Sequence, residues 1–439
     1  MNGRRAFLKT LAGGAVAGFP TIVPSSALGR DGFIAPSDKI VMGAIGVGRM
    51  GSGDMRGFLS KPEVRMAAVC DVRQDRAEQN QARINAHYKD NECKAYNDFR
   101  ELLERPDIDG VMISTGERWH ALITIAAANR GKHTYTEKPL GLSVAEFKAV
   151  REAVNRNGVT FQYGTEARAI YYYRHAVELV RNKRIGELKT IMLGVVRGPS
   201  EPLYGVEKDP PPGFDYDMWL GPSPWAPYSD MRVSIDAWLF ISDYGLGCLD
   251  GAWGIHEIDI AQWANNSDNT APIDVEGTGT FYTDIRDVPH EYTVEHNYAN
   301  GVKLVHMDMV TARKRVPQFN LVQNSGATLM IGTEGWIHAS REGIITNPPS
   351  LATEKIGPNQ IQVIRTNDHR GNWLDAIRSG QQPVCPLECA VHGETVAQQA
   401  YIALCLGRKL RWDPVAEEFI GDPEANRRLT RPMRSPWHI

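Results

Sequence analysis

From Lys39 the chain runs KIVMGAIGVGRMGSGDMRGFL: a short apolar run, a glycine cluster, then a helical pattern. A strand that turns tightly into a helix through Gly-x-Gly-x-x-Gly leaves few folds open, because each glycine answers a steric demand. Gly46 allows the sharp turn, Gly48 lets the backbone approach a pyrophosphate, and Gly51 lets helix and strand pack closely. The helix start at Arg49 and Met50 offers unpaired N–H groups and a positive dipole end to the phosphates.

The next apolar run, VRMAAVCDV, ends at Asp71, about twenty residues past the glycines. A carboxylate there accepts hydrogen bonds from both adenosine ribose hydroxyls and repels a 2′-phosphate, which favours NAD over NADP. Arg73, two residues on, is the side chain that would instead serve a 2′-phosphate. Further strands are expected at IDGVMISTG, KHTYTEK and VTFQYG, separated by the helical stretches HALITIAAANRG and SVAEFKAVREAVNRNG. This alternation predicts an α/β fold whose N-terminal Rossmann domain, residues 34–165, is a doubly wound parallel sheet with ligands at the carboxyl ends of its strands. Ser114, Thr115, Glu137 and Lys138 fall at such ends.

Ahead of this domain stands MNGRRAFLKTLAGGAVAGFPTIVPSSALG, with the basic start, apolar core and small-residue exit of an export signal. It is too short and too Gly-rich for a membrane span. Residues 1–29 are therefore expected to be a leader. Arg4 and Arg5, followed by Phe7, Leu8 and Lys9, resemble the twin-arginine type, although Gly3 departs from the usual Ser or Thr. Cleavage is expected near Ala27, placing the mature protein in the periplasm or otherwise outside the cytoplasm.

The remaining length suggests a second domain, residues 166–439. Charged residues at 23% and hydrophobic ones at 42% fit a soluble globular chain. The net charge of −3, more negative still without Arg4, Arg5 and Lys9, argues against nucleic-acid and membrane-surface partners. Six cysteines are too few for a disulfide framework and lack zinc-site spacing, so no metal is expected. Cys385 and Cys389 read as core thiols, with pairing after export as the alternative.

At TYTEKPL, residues 134–140, the chain resembles the Gfo/Idh/MocA oxidoreductase family. The likeness continues through ELVRNKRIGELK, DYDMWLGPSPW, WGIHEIDIAQW, ATLMIGTEGWI, KLRWDP and EEFIGDPEAN. It implies a C-terminal α/β domain built on a large open, mostly antiparallel sheet, whose C-terminal tail packs back on the Rossmann domain. It also implies a substrate held between the domains, hydride chemistry at a secondary hydroxyl of a sugar or cyclitol, and a homodimer or homotetramer. Lys138 matches the family's catalytic lysine. His256, in His256-Glu257-Ile258-Asp259, matches its catalytic histidine, the general base that takes the hydroxyl proton. At helical spacing His256, Asp259 and Trp263 share one face and Ile255 and Ile258 another.

Two departures stand out. Ala252 occupies a position, four residues before the histidine, where cyclitol dehydrogenases of the family often carry aspartate. Asp250 is two residues off, about 200° round a helix. In ISTGERWH, Gly116, Glu117 and Arg118 replace the family's Thr-Pro-Asp/Asn-His, leaving Thr115, Trp119 and His120 as pocket candidates.

Aromatic residues crowd the second half: Tyr171, Tyr172, Tyr173, Tyr204, Trp219, Trp225, Tyr228, Trp238 and Trp253. Sugar rings stack on aromatic faces. Trp253, Arg168 and Asp259 are the substrate-side candidates, and the proline-rich EKDPPPGFDYDMW is expected to be a loop over the site or a neighbouring subunit. Glu166, Arg232 and His369 lie in plausible segments and receive no role.

The leader and the nucleotide motif together constrain the chemistry, since no soluble NAD pool exists outside the cytoplasm. The cofactor is expected to stay tightly bound and to end each turnover as it began. Sugar oxidoreduction against a second carbonyl compound meets that condition. So does a redox-neutral glycoside hydrolysis, in which transient oxidation at C3 acidifies the C2 hydrogen, the glycosidic oxygen is eliminated, water adds and the ketone is reduced again. An exported carbohydrate-binding relative without catalysis is the third reading.

Overall fold

The glycine-containing run at Lys39–Leu59 folds as its spacing predicts. A computed structural model describes residues 34–439 apart from Asn324; the expected leader at 1–29 lies outside the described residues. One compact unit runs from Ile40 to Ile439. Its first sheet has six parallel strands, β1 (Ile40–Ile45), β2 (Val64–Cys70), β3 (Lys94–Tyr96), β4 (Gly110–Ile113), β5 (His133–Thr136) and β6 (Phe161–Tyr163), in the order β3-β2-β1-β4-β5-β6. Chain order reverses between β1 and β4, the switch point at which such sheets bind ligands.

Register decides which residues face that point. Ile45 pairs with Cys70 and with Ile113, Ile113 with Thr136, and Thr136 with Tyr163. The residues that follow, Gly46, Asp71, Ser114, Glu137 and Gly164, therefore line one carboxyl edge. In β1, β2 and β4 the strand residues are mostly apolar on both faces because helices cover both. One face packs Met42, Met66, Phe58 and Tyr135 with Trp373, from the helix His369–Ser379; the other packs Ile45, Val111 and Ile113 with Trp119 and Leu122.

The second sheet has nine strands: β7 (Leu188–Val195), β8 (Asp274–Phe281), β9 (Pro289–Asn297), β10 (Lys303–Asp308), β11 (Gly326–Gly332), β12 (Trp336–Ser340), β13 (Ile344–Asn347), β14 (Leu410–Asp413) and β15 (Glu418–Phe419). Their order is β13-β12-β11-β7-β10-β9-β8-β14-β15. Only β7 and β10 run parallel; every other neighbouring pair is antiparallel. The helices Gly254–Ala264 and Leu387–Leu406 are buried almost throughout and join the largest apolar cluster with Ile191, Leu193 and Val294. An apolar helix of this kind belongs inside a protein.

The tail returns to the first sheet. Trp437 stands edge-on to Trp119 at 4.6 Å, and Phe58 meets Trp373 at 5.5 Å. Among the described residues no helix is long and apolar enough to cross a membrane. All six cysteines are free, with Cys385 and Cys389 both buried.

Candidate active site

The carboxyl edge of the first sheet opens into a cleft of about 610 Å³. Its nucleotide end is formed by the glycine turn. Gly46 has φ +79°, and a Cβ there would lie 2.5 Å from the Ser114 carbonyl oxygen. A Cβ on Gly51 would lie 1.9 Å from the Gly46 carbonyl oxygen, so only glycine fits. Gly48 is the N-cap of the helix Arg49–Leu59 and makes no side-chain cap, which leaves the first-turn N–H groups to a ligand. Asp71 accepts from Val47 N at 2.9 Å and from Arg73 N at 2.9 Å. Burial nevertheless raises its carboxyl above the usual range, against those two backbone donors. A glycine cradle that a Cβ would block, uncapped helix N–H groups and a fixed carboxylate at the end of β2 suit a dinucleotide.

Arg73 lines this end but is committed to Asp75, at 3.0 and 2.9 Å, with its guanidinium 5.6 Å from the Phe214 ring centroid. The proline-rich segment of the second half reaches across here, where Gln74 N donates to Gly213 O and Asp215 N to Val72 O, each at 2.9 Å. It thus lies over the nucleotide end of the cleft.

The chemical end gathers Lys138, His256, Trp253, Glu117, Glu166 and Arg341. Lys138 follows β5, and its Nζ donates to the Gly251 carbonyl oxygen at 2.8 Å. His256 sits in the first turn of the helix Gly254–Ala264, 6% exposed, with an unpartnered Nδ1. Burial holds its imidazole well below the ordinary histidine range, reinforced by Lys138, so the ring is neutral and able to accept a proton. The Arg341 guanidinium lies 5.3 Å from the Trp253 ring centroid and binds Glu166 at 2.9 Å.

Ser114, Thr115, Arg49, Met50, Glu137 and His120 all border the cleft. His120 lies between the carbonyls of Pro139, 2.6 Å from Nδ1, and Thr115, 3.2 Å from Nε2, and burial lowers it to about 4. Burial raises Glu137 to about 8. Trp119 donates from Nε1 to Met218 O at 2.9 Å.

Arg168 and Asp259, expected on the substrate side, are not brought to the cleft. Arg168, 1% exposed, donates to both carboxylate oxygens of Asp259 at 2.6–3.0 Å and to Asp268 at 2.8 and 2.9 Å. It also lies 5.0 Å from the Trp263 ring centroid. The face expected to unite His256, Asp259 and Trp263 therefore divides: the histidine meets the cleft, and the other two clasp Arg168.

The angular argument against Asp250 fails as well. The helix begins at Gly254, and Asp250 lies ahead of it in a non-helical turn, with φ −135° and ψ −107°. Asp250 is fully buried, and burial raises it to about 7. Of the nine aromatic residues, Trp219, Trp238 and Trp253 line the cleft, Tyr173 and Tyr228 are buried, and Tyr171, Tyr172, Tyr204 and Trp225 are exposed.

Sequence reasoning missed the Glu257 network, in which Tyr173 and Thr328 each donate to its carboxylate at 2.7 Å. It also missed Glu117 and Arg118. The Arg118 guanidinium stacks on Trp219 and Tyr244, 4.1 and 4.7 Å from their ring centroids.

A six-stranded Rossmann sheet with a dinucleotide cradle, joined to a mostly antiparallel sheet across a cleft, defines an NAD-binding oxidoreductase fold. Residues 40–165 match the family model "Oxidoreductase family, NAD-binding Rossmann fold", and residues 204–439 match "Oxidoreductase family, C-terminal alpha/beta domain". The chain belongs to the Gfo/Idh/MocA oxidoreductase family. A glycosyl hydrolase family 109 protein of Shewanella baltica (strain OS195) is 36% identical over 174 residues, which is 35% of this chain and 37% of that protein. The chain thus spans little more than a third of the length of such curated relatives. Myo-inositol 2-dehydrogenase of Thermotoga maritima is 29% identical over 161 residues, 37% of this chain and 46% of its own. The structure of scyllo-inositol dehydrogenase from Lactobacillus casei, with bound NAD(H) and scyllo-inositol, superposes with a TM-score of 0.58. Its identity is 16%, and the match covers 85% of this chain and 99% of that one, a likeness of fold.

Proposed function

We propose that this protein is an NAD-dependent oxidoreductase acting on a secondary hydroxyl, with C3 the favoured position, of a sugar or glycoside held between Trp253, Arg341, Lys138 and His256. The observation that carries the reading is the meeting of Lys138 and a neutral, unpartnered His256 in the cleft that holds the dinucleotide cradle. NAD, when bound, supplies the acceptor of two electrons and a hydrogen. Asp71 would hold the adenosine ribose, and Gly46, Gly48 and Gly51 with the helix start would hold the phosphates. His256 takes the hydroxyl proton at its neutral imidazole, Lys138 donates to the reacting oxygen, and the Trp253 face packs against the ring C–H groups.

A redox-neutral glycoside hydrolysis through a transient 3-keto sugar is the second reading. The family 109 relative favours it. Both readings suit the proposed export by the twin-arginine route and a cofactor retained through turnover. A homodimer or homotetramer is proposed on the family likeness alone.

The test is to incubate the cofactor-loaded protein with free sugars and with aryl glycosides, without an added acceptor. At most one equivalent of ketone per protein, with the aglycone retained, is expected of the oxidoreductase, and further turnover only when a carbonyl compound is supplied. Multiple turnovers of released aglycone without an acceptor identify the hydrolase. Neither product from any sugar overturns both readings and leaves a carbohydrate-binding protein.

A further inference from the structure

Glu166 opens the short turn Glu166–Ala169 just after β6, on the carboxyl edge that also carries Lys138, and the proposed chemistry gives it no part. Four carboxyl groups border the cleft, at Asp71, Glu117, Glu137 and Glu166. The first three are buried, whereas 37% of the Glu166 side chain is exposed. Glu166 is therefore the one among them that a ligand can reach directly. Arg341, in the turn after β12, donates from Nη1 to its Oε1 at 2.9 Å. No other hydrogen bond to this carboxylate is present among the described residues, so Oε2 is open.

Arg341 also keeps donors uncommitted. Among the described residues only its Nη1 is hydrogen-bonded, and Nε is buried with no partner. The Trp253 ring, its centroid 5.3 Å from the guanidinium, steadies the fork from another side. The other cation facing Glu166, Arg370, is committed to Asp54, and His369 has its Nδ1 3.1 Å from the Tyr135 hydroxyl. Burial would raise the Glu166 carboxyl, but the bond from Arg341, with the charges of Arg341, Arg370 and His369, holds it below the usual range. Burial shifts Asp71, Glu117 and Glu137 the other way. An ionised carboxylate with a free oxygen and a planar donor fork thus stand side by side in the wall of the cleft that holds Lys138 and His256.

We propose that Glu166 and Arg341 form the subsite that reads a free hydroxyl next to the reacting carbon of the ring, Glu166 accepting its hydrogen and Arg341 donating to its oxygen. The proposal deepens the oxidoreductase reading and rests on it for the nature of the ring. With oxidation at C3, the hydroxyl read is the one at C2 or C4, so the substrate class is a sugar or glycoside left unsubstituted there. Such a hydroxyl makes two charge-assisted hydrogen bonds. A site built for it rejects a ring that lacks it, because the carboxylate and the guanidinium are then left without their partner.

The test is calorimetric titration of the NAD-loaded protein with the methyl α- and β-glycosides of glucose and galactose and with their 2-deoxy and 4-deoxy counterparts. Wild type, Glu166→Gln and Glu166→Ala are compared, NAD content and melting temperature establish that each is loaded and folded, and hydride transfer to the bound NAD is followed by absorbance. In wild type one of the two deoxy series is expected to bind about 10- to 100-fold more weakly than its parent. Glu166→Ala should lose about that factor for the parent and nothing further for the deoxy sugar, so that the two bind alike. Glu166→Gln, which keeps an acceptor oxygen without the charge, should fall between. An equal loss in Glu166→Ala for the parent and for both deoxy sugars marks a bridge that only joins the two halves of the molecule, and overturns the proposal. Wild type that binds the parent and both deoxy sugars alike overturns it too. If the expected pattern appears and no hydride reaches NAD, the oxidoreductase reading fails while the subsite stands; if hydride is transferred without the pattern, the subsite alone falls. No binding of any of these glycosides to wild type overturns both.

Discussion

Lys138 Nζ donates to the carbonyl oxygen of Gly251 at 2.8 Å, and this bond ties the end of the fifth Rossmann strand to the turn that carries Trp253 and His256. The cleft's two reactive side chains are held to each other through it. Changes in either half are therefore expected to appear at the same site.

The glycine cradle gives the first expectation. Gly51→Ala places a methyl group 1.9 Å from the Gly46 carbonyl oxygen, so the turn must open. A loss of about 1–3 kcal/mol of stability is expected, with NAD affinity reduced at least about tenfold. Thermal unfolding and NAD titration check it.

His256 gives the second. His256→Asn should retain NAD and lose about 10²- to 10⁴-fold in kcat. The neutral ring is the active form, and burial pushes its proton affinity well below the ordinary histidine value. Wild-type kcat should therefore hold as pH falls to about 6.5 and decline only below it. A pH–rate profile reads this directly.

Arg168 separates structure from site. Its pairing with Asp259 and Asp268 is buried, so Arg168→Ala leaves an uncompensated carboxylate in the interior. A loss of about 3–5 kcal/mol is expected. Denaturant unfolding measures it, and KM for the sugar in the surviving folded fraction should stay within about twofold.

Buried carboxyl groups set a pH dependence of opposite sign to the usual surface aspartate. Burial raises Glu257 and Asp250 to about 7 and Glu137 to about 8. Each raised group contributes stability that is full below its unfolded value, near 4, and lost as pH rises through 7 to 8. The melting temperature should therefore be lower at pH 9 than at pH 6. Glu257→Gln should shrink that fall, its own share being about 3 kcal/mol at most.

The dinucleotide cradle was legible because its demands are local. Gly46, Gly51 and Asp71 act within one strand–turn–helix–strand stretch, and period and spacing alone place them. Strand β3, three residues of mixed exposure at the sheet edge, carries no alternation to read. Arg168 was misassigned because a charge after a strand reads the same whether it faces a ligand or an aspartate. Its partners, Asp259 and Asp268, lie 91 and 100 residues away. The angle given to Asp250 was wrong because a helix that begins at Gly254 was continued backward through Gly251. Glu117 was read as a departure from a family pattern. The signal that marks it is the pair of glycines at 245 and 251, where a Cβ would lie 2.5 and 2.2 Å from its carboxylate oxygens, and whose meaning appears only once the chain has brought them together.

The central claim is that the cleft moves hydrogen from a sugar carbon to its bound nicotinamide. The direct measurement is to purify the protein without added nucleotide, quantify the dinucleotide released on denaturation, and repeat after one exposure to a sugar deuterated at its ring carbons. Near-stoichiometric cofactor that acquires one deuterium, and fails to do so in His256→Asn, is the predicted result. A protein that is empty and cannot be loaded with NAD, or a loaded cofactor that never acquires deuterium from any sugar, contradicts the account.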